Sequence, residues 1–495
     1  MNSVLRNASA MVGVQVVTFV LNSALRIALG HYLDDVDFGK LTFAISVGLI
    51  FSTLGELGLT PIVVKEVARS RERAGSYLGS SLFLRILIGF PLYGALCLAT
   101  RLWKNESDFR TIVALVGLSI LLNLFVLVAS AVFQAQEKMM YVAIGQTVES
   151  LLKTIGSIAL LGMGFGLLSV GWVMVAAAAA RLLTTSWFVT RLESFRFTVA
   201  PRSAWPLLGA SIPFFLWAIC DTIYSGIGVP LLSVLSGNAV TGWYGAASGF
   251  VETFMYLPII FQMALLPILS RQFVSNWPEF RLTFEKAFYG FCLVTPPIAL
   301  GTFALAHQMI GLIYPLDQFA NAAPVLRVQS LGFIPLFFNI LFATVLFATD
   351  KQRYLTLAAA ACTLISPILN LIFIPYFQRT AGNGGIGVAW TSNLIELLLF
   401  FVSLAAMPRQ LLGSREWSIS GRALLAGIVM ATIVSSQTTL GLAAMLVIGA
   451  ITYLGGCLVF GVARIEELKD LFRLLRGVRQ TEVDEYFGGT QSDVR

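Results

Sequence analysis

The 495-residue chain is 57% hydrophobic and only 12% charged, and its formal net charge is +7. Soluble domains carry about 25% charged residues, so this chain lacks the polar groups to cover its own surface, and most of its solvent must be lipid. These values exclude a soluble enzyme, a disordered chain and a disulfide-rich secreted domain. Because the basic residues concentrate in short loops between apolar runs, we interpret them as membrane-topology signals and expect no nucleic-acid partner.

Fourteen apolar runs reach the length of about 20 residues that a helix needs to cross the hydrocarbon core. They cover, in chain order, 9–31, 38–63, 77–100, 110–135, 140–163, 167–190, 205–235, 240–269, 286–313, 322–348, 353–376, 385–407, 421–438 and 440–462. The first run is too long for the core of a secretory signal, so we keep it as a helix. Continuous apolar runs favour helices over barrel strands, whose residues alternate. The sequence therefore predicts an all-α polytopic membrane protein with about 14 transmembrane helices.

The topology follows from the distribution of basic residues. Lys and Arg concentrate before the first run, in the loops after even-numbered runs and after the last run, whereas the other loops are short and poor in them. Basic residues mark cytoplasmic loops. We therefore expect a multi-pass protein of the cell inner membrane with both termini in the cytoplasm.

Catalytic motifs are missing from the sequence. It has no Walker A motif and only two histidines, His31 and His307, so nucleotide-driven transport, a zinc site and a histidine-based triad are not expected. Asp35 and Asp37 match a D-x-D metal motif, but Asp37 precedes an apolar run and suits a helix N-cap. The short outer loops oppose a membrane-embedded glycan polymerase or ligase, which stays the alternative from another class. We expect a transporter and not an enzyme, with no metal site.

An internal repeat divides the chain. Ala135–Tyr141 and Ala348–Tyr354 both read A-x-acidic-Lys-x-x-Tyr, and Phe38–Leu41 aligns more weakly with Thr241–Tyr244. Six runs separate the copies, so the repeat keeps its orientation in the membrane. We predict an N-terminal six-helix lobe over 1–197, a C-terminal six-helix lobe over 198–408, an additional helix pair over 409–463, and a cytoplasmic amphipathic helix with a disordered tail over 464–495. Two such lobes meeting at a cleft suit alternating access.

Part of the sequence resembles a known transporter family. The segments that carry the resemblance are Arg26–Gly30, Phe38–Ala44, Gly55–Leu59 and Lys65–Arg69. They resemble the start of polysaccharide-repeat flippases, the Wzx or O-antigen and capsule exporter branch of the MOP superfamily. The resemblance implies two six-helix lobes in a V around a central cavity, as in MATE transporters. It also implies a substrate, an oligosaccharide repeat on undecaprenyl pyrophosphate, that moves from the cytoplasmic to the outer leaflet.

Five basic residues fall inside predicted helices: Arg26, Arg85, Lys153, Arg181 and Arg327. A charge at mid-bilayer costs about 2.5–3.5 kcal/mol on insertion scales unless it is paired or hydrated. We therefore expect these groups to line a wet crevice between the lobes, free of carboxylate partners, as a path for the pyrophosphate. Arg26, Arg85 and Arg181 are the main candidates, because a guanidinium group can donate two hydrogen bonds to a phosphate. Snorkelling to an interface is the alternative for Arg26, Arg85 and Arg327.

The acidic residues inside predicted helices are Glu56, Glu149, Asp221, Glu252 and Glu396. Glu149 and Lys153 have the i,i+4 spacing of a local ion pair. The basic residues predominate in the first lobe and the acidic ones in the second, which predicts an anion site on the first lobe and a cation site on the second. The candidate residues for cation coupling are Asp221, Asn370, Thr391 and Asn393, and a hydrogen-bonded packing cluster is the alternative. Sodium and proton coupling both stay open, and we expect no other cofactor.

The function that these observations favour is a flippase for an undecaprenyl-pyrophosphate-linked oligosaccharide repeat unit, working by alternating access in surface polysaccharide export. A lipid II flippase and a MATE-type multidrug exporter are the alternatives with the same fold. We expect the lipid-linked substrate and membrane lipid as partners, contacts with other polysaccharide-assembly membrane proteins, and a monomeric chain.

Overall fold

The computed structural model describes residues 2–69, 74–103, 106–192, 201–408, 410–437 and 441–462, and within them the regular structure is helical throughout. The helices are, in chain order, α1 Asn2–Tyr32, α2 Asp35–Glu56, α3 Leu59–Arg69, α4 Ala74–Trp103, α5 Ser107–Ala135, α6 Met139–Gly162, α7 Leu167–Leu192, α8 Pro201–Gly226, α9 Gly228–Ser236, α10 Asn238–Ser275, α11 Trp277–Ile313, α12 Leu316–Phe319, α13 Ala322–Leu331, α14 Phe333–Ala348, α15 Gln352–Ala381, α16 Gly384–Ala406, α17 Ser414–Ser436 and α18 Leu442–Val459. The predicted cytoplasmic tail at 464–495 lies outside the described residues.

The prediction of an all-α membrane protein is confirmed. In the described part of the chain, 11 helices are long and apolar enough to cross a membrane, or 12 when the bent pair α13 and α14 counts as one span. Each of the fourteen apolar runs coincides with a helix or a pair of helices, but α1 and α6 do not pass this test, so the count of fourteen is not confirmed.

Three predicted runs are divided between two helices, and the run over 205–235 forms α8 and α9. The run over 38–63 divides into α2 and α3 at Leu57 and Gly58, which both have positive φ. A Cβ on Gly58 would lie 2.5 Å from the backbone nitrogen of Phe215, so the break brings α8 into close contact. The run over 322–348 bends by 42° between α13 and α14. Polar atoms freed at such breaks need partners, since lipid supplies none.

The two hairpin segments of the repeat have the same backbone structure. Helices α5 and α14 both end with an acidic residue in the left-handed region, Glu137 at φ 59° and Asp350 at φ 56°. The following lysine amides bond to carbonyls five residues back, Lys138 to Phe133 and Lys351 to Leu346, each at 2.8 Å. This is the hydrogen bond that closes a helix C-terminus in the Schellman motif. The sequence similarity therefore reflects a repeated structural unit.

Helices α1 and α3–α7 pack mainly within the N-terminal half, α9–α16 pack mainly on one another, and α17 and α18 pack against α11. We call residues 2–192 the first lobe and residues 201–406 the second lobe. Helices α2 and α8 join the lobes, since α2 packs on α10 as well as on α5, and α8 contacts α2, α3 and α4 on one side and α15 on the other. The predicted lobe boundary at 197 lies outside the described residues.

The closest approach of the two lobes is a symmetric contact between α2 and α10, which we call the glycine seam. A Cβ on Gly39 would overlap the carbonyl oxygen of Asn238, and a Cβ on Gly242 would overlap the carbonyl oxygen of Asp35. Gly39 follows Asp35 by four residues, as Gly242 follows Asn238, so equivalent positions of the repeat meet each other. Only glycine allows two helix backbones to come this close.

The start of α2 corrects one sequence interpretation. Asp34, and not Asp37, is the N-cap, because its side chain accepts a hydrogen bond from the backbone amide of Asp37 at 2.7 Å. Asp35 accepts a bond from the indole of Trp243 at 2.9 Å, and Asp37 pairs with Lys40 at 2.9 Å. The two carboxylates of the D-x-D motif therefore have separate structural partners at the end of the bundle predicted to face outside.

Candidate functional site

A cavity of about 590 Å³ lies in the second lobe, between α8, α10, α13, α14, α15 and α16. Three carboxylates line it, those of Asp221, Glu252 and Glu396, and no basic residue does so among the described residues. Its other polar and aromatic lining groups are Trp217, Tyr224, Ser225, Tyr244, Ser248, Gln262, Gln329, Asn339, Ser392, Asn393 and Ser403. The lining is therefore acidic and rich in hydrogen-bond acceptors, unlike the positively lined crevice expected from the sequence.

Two amide side chains of the cavity wall are fixed by their nitrogens and leave their oxygens without a partner. Asn339 donates from Nδ2 to Glu396 Oε2 at 2.7 Å, and Gln329 donates from Nε2 to Ser248 Oγ at 2.9 Å. Only 9% of Asn339 and 7% of Gln329 is exposed. Their oxygens, Oδ1 and Oε1, form no hydrogen bond with any described residue. Buried polar atoms usually have partners, so these two oxygens mark incompletely paired polar groups in the wall, and both are enclosed by the protein.

Arg26 connects the first lobe to this cavity. Its Nη2 lies 2.5 Å from Oε2 of Glu252, and the two side chains are 31% and 66% exposed. The Arg26 side chain crosses α10 over Gly249, where a Cβ would lie 2.6 Å from Nη1. Arg26 is therefore paired with a carboxylate, contrary to the expected free guanidinium group. It nevertheless contacts Glu252, a lining residue of the cavity, and joins α1 to α10.

Arg181 is also paired. Its Nη1 lies 2.7 Å from Oε2 of Glu149 and 3.3 Å from Oδ1 of Asn123, and Asn123 donates to the other Glu149 oxygen at 3.0 Å. Glu149 thus forms its ion pair with Arg181 on α7. Lys153 forms no ion pair with a described residue, but Glu149 attracts it electrostatically, and Arg181 and Arg26 also lie within electrostatic range. Arg26, Lys153 and Arg181 thus form a basic cluster in the first lobe.

Arg85 lies inside the first lobe and away from the cavity. It is 1% exposed and donates to the carbonyl oxygen of Leu124 at 3.3 Å and to Oγ1 of Thr60 at 2.8 Å. Glu56 lies close enough to attract it electrostatically. A side chain enclosed in this way by α2, α3, α4 and α5 has no route to a substrate in this conformation.

Replacing Arg85 with Ala is expected to reduce the amount of folded protein and not the transport rate per molecule. Removing one member of a buried charged group costs about 3–5 kcal/mol, because its partners stay buried. Thermal unfolding of the purified protein followed by fluorescence size-exclusion would measure this loss. Arg85→Met keeps most of the volume and should lose less stability. A normally stable Arg85→Ala protein that no longer transports would instead place Arg85 in the substrate path.

Arg327 on α13 is exposed and forms no ion pair or side-chain hydrogen bond with a described residue. It is not part of the cavity lining. An exposed arginine near the predicted outer end of its span fits the snorkelling alternative.

The four residues predicted to bind a coupling cation do not surround one point. Asp221 and Asn393 line the cavity, whereas Asn370 and Thr391 are buried outside its lining, at 2% and 1% exposure. Asn393 donates to the carbonyl oxygen of Val328 at 2.6 Å, at the bend between α13 and α14. Its amide therefore satisfies an atom freed by the broken helix. No group of three His, Cys, Asp or Glu side chains suited to a metal ion occurs in the described part of the chain.

Three site residues escaped the sequence analysis: Asn123, Gln329 and Asn339. A signal for them is present, because each is a lone amide side chain within an apolar run. A buried amide is costly without partners, so such a residue indicates a polar network inside the bundle. The sequence does not tell which network each one joins, since that depends on how the helices are rotated.

Comparisons with known proteins agree with this fold. A profile for the family described as polysaccharide biosynthesis protein matches residues 4–273. A lipid II flippase MurJ structure in an inward closed conformation superposes with a TM-score of 0.75 at 13% sequence identity, covering 95% of this chain and 100% of that chain. An inward-facing multidrug resistance MATE transporter of the MOP superfamily gives a TM-score of 0.63 at 13% identity, covering 78% of this chain and 94% of that one. An outward-facing MATE transporter gives 0.55 at 13% identity, with 81% and 95% covered. No curated protein matches the chain. At these identities the structural likenesses establish the fold alone.

Proposed function

Because this chain belongs to the polysaccharide biosynthesis protein family, we propose that it is a flippase for an undecaprenyl-pyrophosphate-linked oligosaccharide. It moves the repeat unit from the cytoplasmic to the outer leaflet of the inner membrane by alternating access, and both its termini are cytoplasmic. The MOP-type fold supports a transport function and not catalysis by this chain.

The ion pair between Arg26 and Glu252 carries the proposal. It places a basic group of the first lobe against the wall of the second-lobe cavity, with Lys153 and Arg181 within electrostatic range. Three basic residues here face two carboxylates, Glu149 and Glu252, which leaves an excess of positive charge. A pyrophosphate carries more negative charge than the single Glu252 carboxylate. It can therefore displace Glu252 from Arg26, and this exchange releases a contact between the lobes.

This exchange links substrate binding to lobe movement. With Arg26 paired to Glu252 and the glycine seam closed, the lobes are held together at the end predicted to face outside. When the pyrophosphate replaces Glu252, the contacts between α2 and α10 at this end include the seam and the hydrogen bond from the Trp243 indole to Asp35. The equilibrium then moves toward separation of α2 from α10, by the free energy with which the substrate favours the open form.

A second cavity offers a place for the lipid chain. It has a volume of about 280 Å³, lies between α11, α14, α16 and α17, and is lined mainly by aromatic and aliphatic side chains such as Phe288, Phe338 and Phe400. Phe338 and Asn339 are adjacent on α14, so the apolar and polar cavities lie on either side of this helix. A lipid with a polar head and a prenyl chain needs both environments.

Ion coupling is part of the proposal, with either sodium or protons as the driving ion. Asp221 is the best placed of the four candidate residues, because its carboxylate lines the cavity and its helix, α8, contacts both lobes. A charge change there acts on the helix that lies between the lobes. If the flipping rate does not depend on the sodium gradient or on the proton gradient, then Asp221 and the other three candidate residues do not couple transport to an ion.

Reconstituted vesicles give the direct test. The purified chain is expected to bring an undecaprenyl-pyrophosphate-linked oligosaccharide to the opposite leaflet, where an added membrane-impermeant glycosyltransferase labels it. Lipid II serves as the competing substrate, since a peptidoglycan flippase has the same fold, and protein-free vesicles give the background. Labelling no faster than in protein-free vesicles would refute the proposal, and faster movement of lipid II would favour that alternative.

One observation favours a second candidate, an exporter of organic cations. The cavity has three carboxylates and no basic lining residue in the described part of the chain, which suits a positively charged ligand. Ethidium efflux from cells that produce the chain measures this activity. An exporter of cations does not need the basic cluster of the first lobe. If the chain is such an exporter, Arg26→Gln should leave ethidium efflux unchanged.

A further inference from the structure

The acidic cavity of the second lobe presents three carboxylates to a bound molecule, those of Asp221, Glu252 and Glu396, and no basic side chain lines it among the described residues. Hydroxyl, amide and indole groups, such as those of Ser392, Asn393 and Trp217, lie beside these carboxylates. A molecule with hydrogen-bond donors for the carboxylates is therefore favoured in this space. Its volume of about 590 Å³ lies within the 300–1,000 Å³ usual for small-molecule sites.

The acceptors are spread over the cavity wall and do not converge on one point. The three carboxylates come from α8, α10 and α16, and the amides of Gln329 and Asn339 come from α13 and α14. No metal-like grouping of acidic side chains occurs among the described residues. A single cation would leave most of these acceptors unused. An extended molecule with donors along its length would use them. Aromatic side chains, including Trp217 and Tyr244, add apolar faces between the polar groups.

We infer that this cavity binds the sugar part of the substrate, and that it accepts uncharged or amino-bearing sugars and rejects acidic ones. The inference rests on the proposed function and specifies its substrate class. Sugar rings carry hydroxyl and acetamido donors on their edges and apolar C–H faces, which matches acceptors interleaved with aromatic rings. A uronic acid brings a fourth carboxylate into a space that already holds three, and like charges at short range in a poorly hydrated site repel strongly.

The position of Glu252 relates the sugar to the pyrophosphate. Glu252 lines the cavity and holds Arg26 at its wall. When a pyrophosphate takes Arg26, the sugar attached to it is brought to the cavity, where the released Glu252 carboxylate can accept a hydroxyl bond. The basic cluster of the first lobe then binds the phosphate end of the substrate, and the acidic cavity of the second lobe binds its sugar end.

Binding to the purified full-length chain in detergent tests the inference with four probes. These are undecaprenyl pyrophosphate alone, the same lipid carrying N-acetylglucosamine, the same lipid carrying glucuronic acid, and free N-acetylglucosamine disaccharide without lipid. The N-acetylglucosamine lipid should bind about tenfold more tightly than the bare lipid, and the glucuronic acid lipid about tenfold less tightly than the N-acetylglucosamine lipid. The free disaccharide should bind weakly to the wild-type chain.

Three variants relate these differences to the cavity. Gln329→Met and Asn339→Leu each replace a polar lining residue with an apolar one, and both should lose the gain from the neutral sugar while binding the bare lipid unchanged. Glu396→Gln should reduce the discrimination against glucuronic acid. Glu279→Gln removes an exposed carboxylate outside the cavity and is the matched control, with no expected change in any of the four affinities.

The four probes distinguish a failure of the sugar site from a failure of the flippase proposal. If the bare lipid does not bind but the free disaccharide does, with loss in Gln329→Met, the sugar site stands and the flippase proposal fails. If the bare lipid binds but N-acetylglucosamine adds nothing, the sugar site is refuted while the flippase proposal stands. Equal binding of the glucuronic acid and N-acetylglucosamine lipids would refute the charge selection. Asn339→Leu breaks a hydrogen bond to the Glu396 carboxylate, whereas Gln329→Met breaks only a neutral bond to Ser248. Gln329→Met therefore disturbs the fold less and gives the deciding result.

Discussion

Replacing Arg26 with Gln is expected to lower the rate of lipid-linked oligosaccharide flipping about 100-fold, with little change in the stability of the folded protein. Hydrogen bonds to charged groups contribute about 1.5–3 kcal/mol each, and the upper value corresponds to a factor of about 100. The pair with Glu252 is partly exposed, 31% and 66% for the two side chains, so its removal costs at most about 1 kcal/mol of stability. Flipping in vesicles and thermal unfolding of the same preparation measure the two effects.

Three further variants decide whether Arg26 acts as a ligand for phosphate or only holds the lobes together. Arg26→Lys keeps the charge but loses the two-pronged geometry, so it should retain only part of the activity. Glu252→Gln removes the same ion pair and leaves Arg26 free. If Arg26 binds phosphate, Glu252→Gln should retain most of the activity that Arg26→Gln loses. Equal losses in both variants would show that the pair is only a structural contact. Arg327→Ala is the matched control for loss of a membrane arginine outside the cavity.

The fold follows closely from the sequence because hydrophobicity acts along the chain. Apolar runs of about 20 residues must become helices in lipid, where every backbone polar group needs an internal partner. The repeated hairpin was also visible, since its acidic residue and lysine occupy fixed positions of a helix C-terminus. The helix breaks at Gly58 and Gly332 were not visible, because they depend on neighbours from distant segments. Phe215 packs against the first, and Asn393 bonds to a carbonyl freed at the second.

The sequence predicted the candidate site less well than it predicted the fold. A charge inside an apolar run signals that the residue faces the bundle interior, and this holds for Arg26, Arg85 and Arg181. The sequence cannot tell a cavity wall from a packed core, because that depends on helix rotation and on partners in other helices. Arg85 is enclosed by its own lobe, Arg181 pairs with Glu149 across two helices, and Arg26 alone of the three reaches the other lobe.

The division of charge between the lobes acquires a different meaning from the structure. The cavity with defined walls is the acidic one, and the basic residues form a cluster at its side, partly neutralised by Glu149 and Glu252. A ligand with one strongly anionic end and a hydroxyl-rich end satisfies both regions at once. A simple anion or a simple cation would satisfy only one of them.

A second large effect is expected at the glycine seam: Gly39→Ala should prevent closure of the bundle at its predicted outer end and reduce flipping at least tenfold. The new Cβ would overlap the carbonyl oxygen of Asn238 and lie 2.7 Å from its carbonyl carbon. Both are backbone atoms, so no side chain can rotate to make room, and the helices must move apart by about 1.5 Å to reach ordinary contact. Overpacking of this kind costs about 1–3 kcal/mol, and only the closed form bears that cost.

Because the contact is symmetric, Gly242→Ala should have the same effect through the carbonyl oxygen of Asp35. Spin labels at Val36→Cys and Leu235→Cys, near the outer ends of the two lobes, would measure the separation by pulsed EPR, and both alanine variants should increase the population with the longer distance. Gly290→Ala on α11 is the matched control, since its Cβ would meet nothing within 4 Å. An unchanged distance distribution together with normal flipping in Gly39→Ala would mean that the seam is not the closing surface, and the alternating movement would then have to use other contacts between the lobes.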